Sequence, residues 1–261
     1  MRRASTRLAM LGLAVATLGL PATAGAAPNV TLKVKAVAIP KNPSAKSGPT
    51  WPGTGNIFGA GTDVETEFKI SGTEYGGFPL PLIGVTFYTP PGSKLTTKGF
   101  TSCSSTILES HEVQQCPKKS VAGPKGEARG VVSFGATRVH ETLSVQPFFE
   151  TGGNLAFYAE GTSPASIELL SQGKFSSLSS AFGPVLTAEV PLVETVPGAP
   201  YGSVEFIKVK VGAAFKKGKK LVSYGTLPKK CAKGGFPVKA ELKFLGGETV
   251  TVNVKAPCPK K

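Results

Sequence analysis

Both histidines of this 261-residue sequence, His111 and His140, are followed directly by a glutamate, a pairing found in zinc proteases. The protease pattern is His-Glu-x-x-His on a helix, because helical spacing turns both imidazoles toward one metal ion. The fifth residues here are Gln115 and Ser144, so neither histidine has a second one at the required distance. We therefore interpret His111 as a loop residue and His140 as a strand residue, and we predict no metal site and no cofactor.

The sequence also contains little that matches the catalytic residue patterns of hydrolases. The sequence lacks the Gly-x-Ser-x-Gly elbow of serine hydrolases, and its nearest fragment, residues 161–165, has a proline where the oxyanion N–H is needed. A glycosidase requires only two carboxylates about 5 to 9 Å apart, and Glu150, Glu160, Glu168 and Glu189 lie near predicted strands. We predict no catalytic residue and a protein that is not an enzyme. The alternative is a secreted carbohydrate-active hydrolase that uses paired glutamates.

The four cysteines permit three pairings. We favour two disulfides, Cys103 with Cys116 and Cys231 with Cys258, because each pair brackets a local turn or hairpin. Rings of these lengths add about 3 to 3.6 kcal/mol of stability in the chain-entropy model. The alternative is a zinc ion bound by all four thiolates, but the close Cys-x-x-Cys spacing of such sites is absent.

The net charge of +14, from 30 Lys and Arg against 16 Asp and Glu, is unevenly distributed. From Glu205 onward there are 14 lysines, no arginine and three glutamates, whereas residues 27–204 have 13 basic and 13 acidic side chains. Lysines in this number suit an anionic cell-wall or extracellular polymer, and the lack of arginine disfavours sequence-specific reading of nucleic acid. The candidate polymer contacts are Lys216, Lys217, Lys219, Lys220, Lys229 and Lys230. The alternative is that these lysines only keep the surface of the sheet soluble and prevent its edge strands from pairing with other chains.

Residues 1–26 have the form of a cleaved secretory signal peptide. Arg2 and Arg3 precede an uncharged run over 8–20, and small residues, including Ala24 and Ala26, follow it. This run has 13 residues, whereas a membrane-spanning helix needs about 20. We therefore expect a protein secreted to the extracellular space or the cell envelope, with no transmembrane segment in the mature chain.

The elements that position these side chains are predicted to be strands. Apolar and polar residues alternate in short stretches, which are separated by clusters drawn from 32 glycines and 22 prolines. The clearest unit is a hairpin over 238–254, and a second hairpin is predicted across Lys216–Lys220. The other predicted strands are 30–39, 64–70, 82–88, 130–134, 139–145, 155–160, 185–192 and 204–211. This pattern predicts an all-β fold, an antiparallel, jelly-roll-like β-sandwich of ten or more short strands with little helix.

Residues 27–261 are predicted to form a single β-sandwich unit. A candidate subdomain boundary near 197–202 would separate the Lys-rich C-terminal part. The stretch 163–173 fits either a short helix or a strand, and we favour a strand. Residues 40–61, rich in Pro and Gly and containing the only tryptophan, are predicted to be a long loop.

Several phrases along the chain resemble a known family of sequences. They are Val85-Thr-Phe-Tyr-Thr-Pro-Pro-Gly92, Val131-Val-Ser-Phe-Gly135, Gln146-Pro-Phe-Phe149, Glu189-Val-Pro-Leu-Val-Glu-Thr-Val-Pro-Gly-Ala-Pro200 and Tyr224-Gly-Thr-Leu-Pro-Lys-Lys-Cys231. Together they are similar to a family of uncharacterised secreted proteins of high-GC soil actinobacteria, and the similarity extends over most of the mature chain. The resemblance implies that the protein is exported and that the mature chain forms a single structural unit. It implies no known activity, cofactor or catalytic residue.

Overall fold

The structure is a computed structural model that describes residues 26–38, 62–135, 137–176, 181–217 and 220–258. The predicted signal peptide, apart from its final residue, and the predicted loop over 40–61 lie outside the described residues. Within the described ranges the chain is mostly strand, with one short α-helix and three short 3₁₀ helices.

Fifteen strands follow one another along the described chain. They are β1 (Asn29–Ala38), β2 (Thr62–Ser71), β3 (Leu82–Tyr88), β4 (Lys94–Leu95), β5 (Gly126–Phe134), β6 (Thr137–Phe149), β7 (Leu155–Gly161), β8 (Ile167–Ser176), β9 (Val185–Glu189), β10 (Ser203–Val211), β11 (Ala214–Lys217), β12 (Lys220–Ser223), β13 (Gly225–Thr226), β14 (Phe236–Phe244) and β15 (Thr249–Ala256). The helix α1 spans Ser105–Glu109, and the 3₁₀ helices span Val113–Gln115, Lys118–Ser120 and Thr151–Gly153.

Eleven of these strands form one antiparallel sheet in the order β1-β2-β10-β5-β6-β7-β8-β9-β3-β14-β15. The strands β4 and β13 form a separate pair, as do β11 and β12. The prediction of an antiparallel all-β fold with ten or more strands and little helix is therefore confirmed. Residues 197–202 lie between β9 and β10, and strands that follow them pair with strands that precede them.

The large sheet curls so that its first and last strands, β1 and β15, lie against each other. The main core fills the inside of this curl. In β14, Val238, Ala240, Leu242 and Phe244 point inward and are buried, whereas the exposed Lys243 lies on the opposite face. Burial of alternate residues on one face is what the period-two pattern of this hairpin predicts.

Most predicted strands agree with the structure to within a few residues. The hairpins at 238–254 and 216–220 are present as β14–β15 and β11–β12. The ambiguous stretch at 163–173 contributes the start of the strand β8, as favoured. The sequence did not predict α1, which has five residues and begins where the Ser104 side chain accepts a hydrogen bond from the Ile107 N–H.

The structure joins Cys103 to Cys116 and Cys231 to Cys258 by disulfides, the pairing that the loop lengths favoured. No described cysteine is left free for a zinc ion. The first disulfide closes the segment that carries α1 and a 3₁₀ helix. This segment covers one face of the sheet, where Leu108 is fully buried together with Phe148 and Tyr158.

Candidate functional site

The short pair β4–β13 brings two distant lysine-bearing segments together. Lys94 in β4 lies opposite Thr226 in β13, and the exposed Lys229 and Lys230 follow two residues after the end of β13. Near this pair, a Cβ built on Gly92 would lie 3.5 Å from the Pro228 side chain, so the two chain segments are in close contact.

An aromatic contact attaches the hairpin β11–β12 to the same segment. The ring of Phe100 lies 5.0 Å from that of Phe215, edge to face, and also contacts Phe149 and Tyr224. Aromatic pairs in this geometry add packing energy beyond the area that they bury. The contact holds the part of the hairpin around Lys217 against the loop that carries Lys98.

We give the name lysine rim to five exposed lysines on these contacting segments. Its members are Lys94, Lys98, Lys217, Lys229 and Lys230. None of the five forms an ion pair with a carboxylate in the described part of the chain. The rim therefore presents uncompensated positive charge to solvent.

Three lysines elsewhere on the sheet are paired with neighbouring glutamates. Lys33 lies 3.4 Å from Glu67, and Lys208 lies 3.6 Å from Glu65, across adjacent strands. Lys239 donates a 2.8 Å hydrogen bond to Glu241, which lowers the pKa of that carboxyl. Two lysines of the C-terminal part are therefore paired with carboxylates, and one of these carboxylates, Glu65, comes from an N-terminal strand.

Of the six lysines predicted to contact a polymer, three have described side chains, and all three belong to the rim: Lys217, Lys229 and Lys230. Lys216 and Lys220 lie on β11 and β12, and their side chains, like the whole of Lys219, are outside the described residues. Sequence reasoning missed Lys94 and Lys98. They belong to residues 27–204, whose net charge is zero, and only the β4–β13 pairing and the Phe100 contact place them beside the C-terminal lysines.

An apolar hollow adjoins the rim. Its cavity volume is about 70 Å³. Its walls include Val34, Phe87, Leu227 and Phe236, which come from both ends of the curled sheet and from the segment after β13. Lys94 is the only charged residue among those that line it in the described structure.

The only aspartate in the sequence, Asp63, is fully buried near the start of β2. Alternation places its side chain on the same face as Glu65, but the backbone at Gly212 covers it so closely that a Cβ there would lie 2.6 Å from the Asp63 Cα. Neither carboxylate oxygen has a hydrogen-bond partner among the described residues. Burial raises the pKa of Asp63 to about 7, although the charge of Lys210 acts in the opposite direction.

A second group of polar side chains surrounds His111, on the face covered by the first disulfide loop. The backbone φ of His111 is +61°, and its Nδ1 lies 3.0 Å from Glu168 Oε2. Glu160 lies directly opposite Glu168 on the adjacent strand. Burial and a hydrogen bond to Glu168 raise the pKa of the Tyr158 hydroxyl to about 12.

The other glutamates of the hydrolase alternative have separate environments. Glu150 is buried and accepts hydrogen bonds from Ser105 Oγ at 2.9 Å and from Gln172 Nε2 at 3.0 Å. Glu189 lies on β9, opposite Gly84. The described residues that line the hollow include neither a histidine nor an acidic residue, so the hollow and the glutamates are separate features.

His140 lies on β6 as predicted, with its Nδ1 3.3 Å from Glu205 Oε2. In the described ranges, no three His, Cys, Asp or Glu side chains are grouped so that they could hold a metal ion. No described helix has the length and hydropathy needed to cross a lipid bilayer.

No family model, curated protein or solved structure matches this chain. Its similarity to secreted actinobacterial proteins stays a prediction.

Proposed function

We propose that this protein is a secreted, non-catalytic binding or structural protein of the cell envelope or extracellular space, and that its lysine rim contacts anionic polymers. The observation that carries the proposal is the grouping of five exposed, unpaired lysines on two contacting segments. Elsewhere on the sheet, cross-strand glutamates neutralise lysines such as Lys33 and Lys208. Two disulfides are compatible with export to an oxidising compartment.

Lysine suits this role because its ammonium is a compact charge that needs no fixed partner geometry. Polymers of regularly spaced phosphate or uronate groups carry dense negative charge and condensed counterions. Each lysine that replaces a counterion contributes a favourable release entropy, which makes binding dependent on salt concentration. The rim therefore favours charge density over sequence or stereochemistry in its ligand.

The test is binding of the purified protein to teichoic acid and to polygalacturonate over a series of NaCl concentrations. We expect the affinity to fall steeply with salt. The double variant Lys229→Gln/Lys230→Gln should weaken binding at low salt by about 10-fold and reduce the slope of log affinity against log salt by about 2.

The matched control is Lys118→Gln/Lys119→Gln, which removes the same charge from an adjacent exposed pair on the 3₁₀ helix Lys118–Ser120. The control should change the affinity and the slope much less than the rim variant. Equal effects of the two double variants would show that only net charge matters, and binding that is insensitive to salt would contradict the electrostatic mechanism.

A further inference from the structure

The two ends of the hairpin β11–β12 contact the start of β2, the strand that carries the buried Asp63. We call these ends, residues 212–214 and 223–225, the hairpin base. A Cβ built on Gly212 would collide with the Asp63 carboxylate, and one built on Gly225 would lie 3.7 Å from the Thr62 carbonyl oxygen. The hairpin base is therefore part of the cover over Asp63.

Backbone hydrogen bonds hold the hairpin base in place, and none of them involves the Asp63 side chain. The Gly212 N–H donates to the Ala122 carbonyl at 3.0 Å, and the Tyr224 N–H donates to the Ala213 carbonyl at 2.8 Å. Asp63 is fully buried, and neither of its carboxylate oxygens has a hydrogen-bond partner among the described residues. An ionised carboxylate is strongly disfavoured there, because nothing replaces the hydration that it loses on burial.

The charged groups around Asp63 belong to β2 and β10. Glu65 is the next residue on the same face of β2, and Lys210 of β10 lies directly opposite Glu65. The hairpin base adds one ionisable group, the Tyr224 hydroxyl, which donates a hydrogen bond to a backbone carbonyl. Residues 121–124, which contact the base, have no ionisable side chain. The charge of Lys210 favours ionisation of Asp63, but burial has the larger effect and raises its pKa to about 7.

We propose that Asp63 makes the docking of the hairpin base sensitive to pH. A protonated carboxyl allows the base to stay closed over β2, whereas an ionised carboxyl is hydrated when the base opens locally. The Thr96 N–H donates to the Tyr224 carbonyl, so opening would also loosen the contact between the hairpin and the segment that carries Lys94 and Lys98 of the rim. Control of the rim by pH rests on the proposed function, but the opening itself does not.

The experiment is amide hydrogen exchange of the purified protein, followed by NMR between pH 5 and pH 8 and corrected for the intrinsic effect of pH on exchange. The reporters are the amides of Gly212 and Tyr224, and the amides of β14 are the reference for global unfolding. An open base returns Asp63 to its ordinary pKa of 3.8, against about 7 in the closed state. The open population should therefore rise about 100-fold from pH 5 to pH 8. Urea should accelerate exchange at the two reporters much less than in β14, because a local opening exposes little surface.

Three variants test the role of the carboxyl. Asp63→Asn should abolish the pH dependence at both reporters. The control Glu65→Gln removes a more exposed carboxylate from the same face and should retain most of it. Lys210→Gln removes the cation that favours ionisation of Asp63, so it should move the rise in exchange to higher pH. If Asp63→Asn does not fold, as judged by circular dichroism, the Lys210→Gln comparison still decides.

The proposal is overturned if opening at Gly212 and Tyr224 does not vary with pH, or varies equally in wild type and Asp63→Asn. It is also overturned if urea accelerates exchange at these amides as strongly as in β14, the result expected if Asp63 affects only global unfolding. Failure of the proposed polymer binding is distinguishable, because the exchange measurements contain no polymer.

Discussion

Replacing Asp63 by asparagine should make the stability of this protein less dependent on pH. Asparagine has nearly the same shape as aspartate but carries no charge. The wild-type carboxyl is fully buried beneath the backbone at Gly212, and its oxygens have no hydrogen-bond partner among the described residues. Ionising it in the folded state is therefore costly, whereas the unfolded chain hydrates the carboxylate freely.

The size of the effect follows from the pKa of Asp63, which burial raises from its ordinary 3.8 to about 7. Below pH 3.8 the carboxyl is protonated in both states and contributes no pH dependence. Between these two pKa values the unfolded state is ionised and the folded state is not, so stability falls as pH rises. The full loss is about 4 kcal/mol and is reached above about pH 7. From pH 5 to pH 8 the free energy of unfolding of the wild-type protein should fall by about 3 kcal/mol more than that of the Asp63→Asn variant.

The measurement is urea unfolding followed by circular dichroism, with the disulfides intact, at several values between pH 5 and pH 8. The control is Glu65→Gln, which removes a partly exposed carboxylate from the same strand, 3.6 Å from Lys208. Its effect should stay below about 1 kcal/mol across this range, as for other surface ion pairs. A stability difference between Asp63→Asn and wild type that does not vary with pH would refute the reasoning.

Further predictions concern the disulfides and the main core. Replacing both Cys231 and Cys258 by serine should lower the free energy of unfolding by about 3.5 kcal/mol, because the closed ring restricts the unfolded chain. The same change at Cys103 and Cys116 should cost about 3 kcal/mol, since the ring is shorter, and equal losses by urea unfolding would contradict this ranking. Leu242→Ala, at a fully buried position in β14, should cost about 2 to 5 kcal/mol and lower the thermal midpoint, whereas Lys243→Ala on the opposite face should change it little.

The strands could be predicted because their signal is local. In β14 and β15, alternate residues differ in polarity, and turn residues separate the two runs, so neighbouring positions suffice to identify them. The order of strands in the sheet could not be predicted in this way. Tyr88 and Glu241 are 153 residues apart in sequence yet are joined by a hydrogen bond across β3 and β14. No sequence pattern near Tyr88 or Glu241 indicates that these two residues are in contact.

The candidate site was predictable only in part, for the same reason. Composition identified the C-terminal lysines, including Lys229 and Lys230, but a charge count cannot show which of them have acidic neighbours. Lys208 is paired with Glu65 of a strand that is distant in sequence, whereas Lys94 joins the rim from residues 27–204, whose net charge is zero. The burial of Asp63 was also hidden, because alternation alone places it on the same face as Glu65.

The contact between β1 and β15 also constrains how the chain can fold. Leu32 and Val34 of β1 belong to the same core as the inward residues of β14 and Ala256 of β15, which lie near the other end of the described chain. A chain that is synthesised from its N-terminus therefore cannot complete the cover over these early apolar side chains until its last strand is available. Contact between segments so distant in sequence forms slowly, because loop closure precedes any gain from contact. We expect β15 to act as the completing element of folding, so that a chain ending before residue 249 stays open and prone to association.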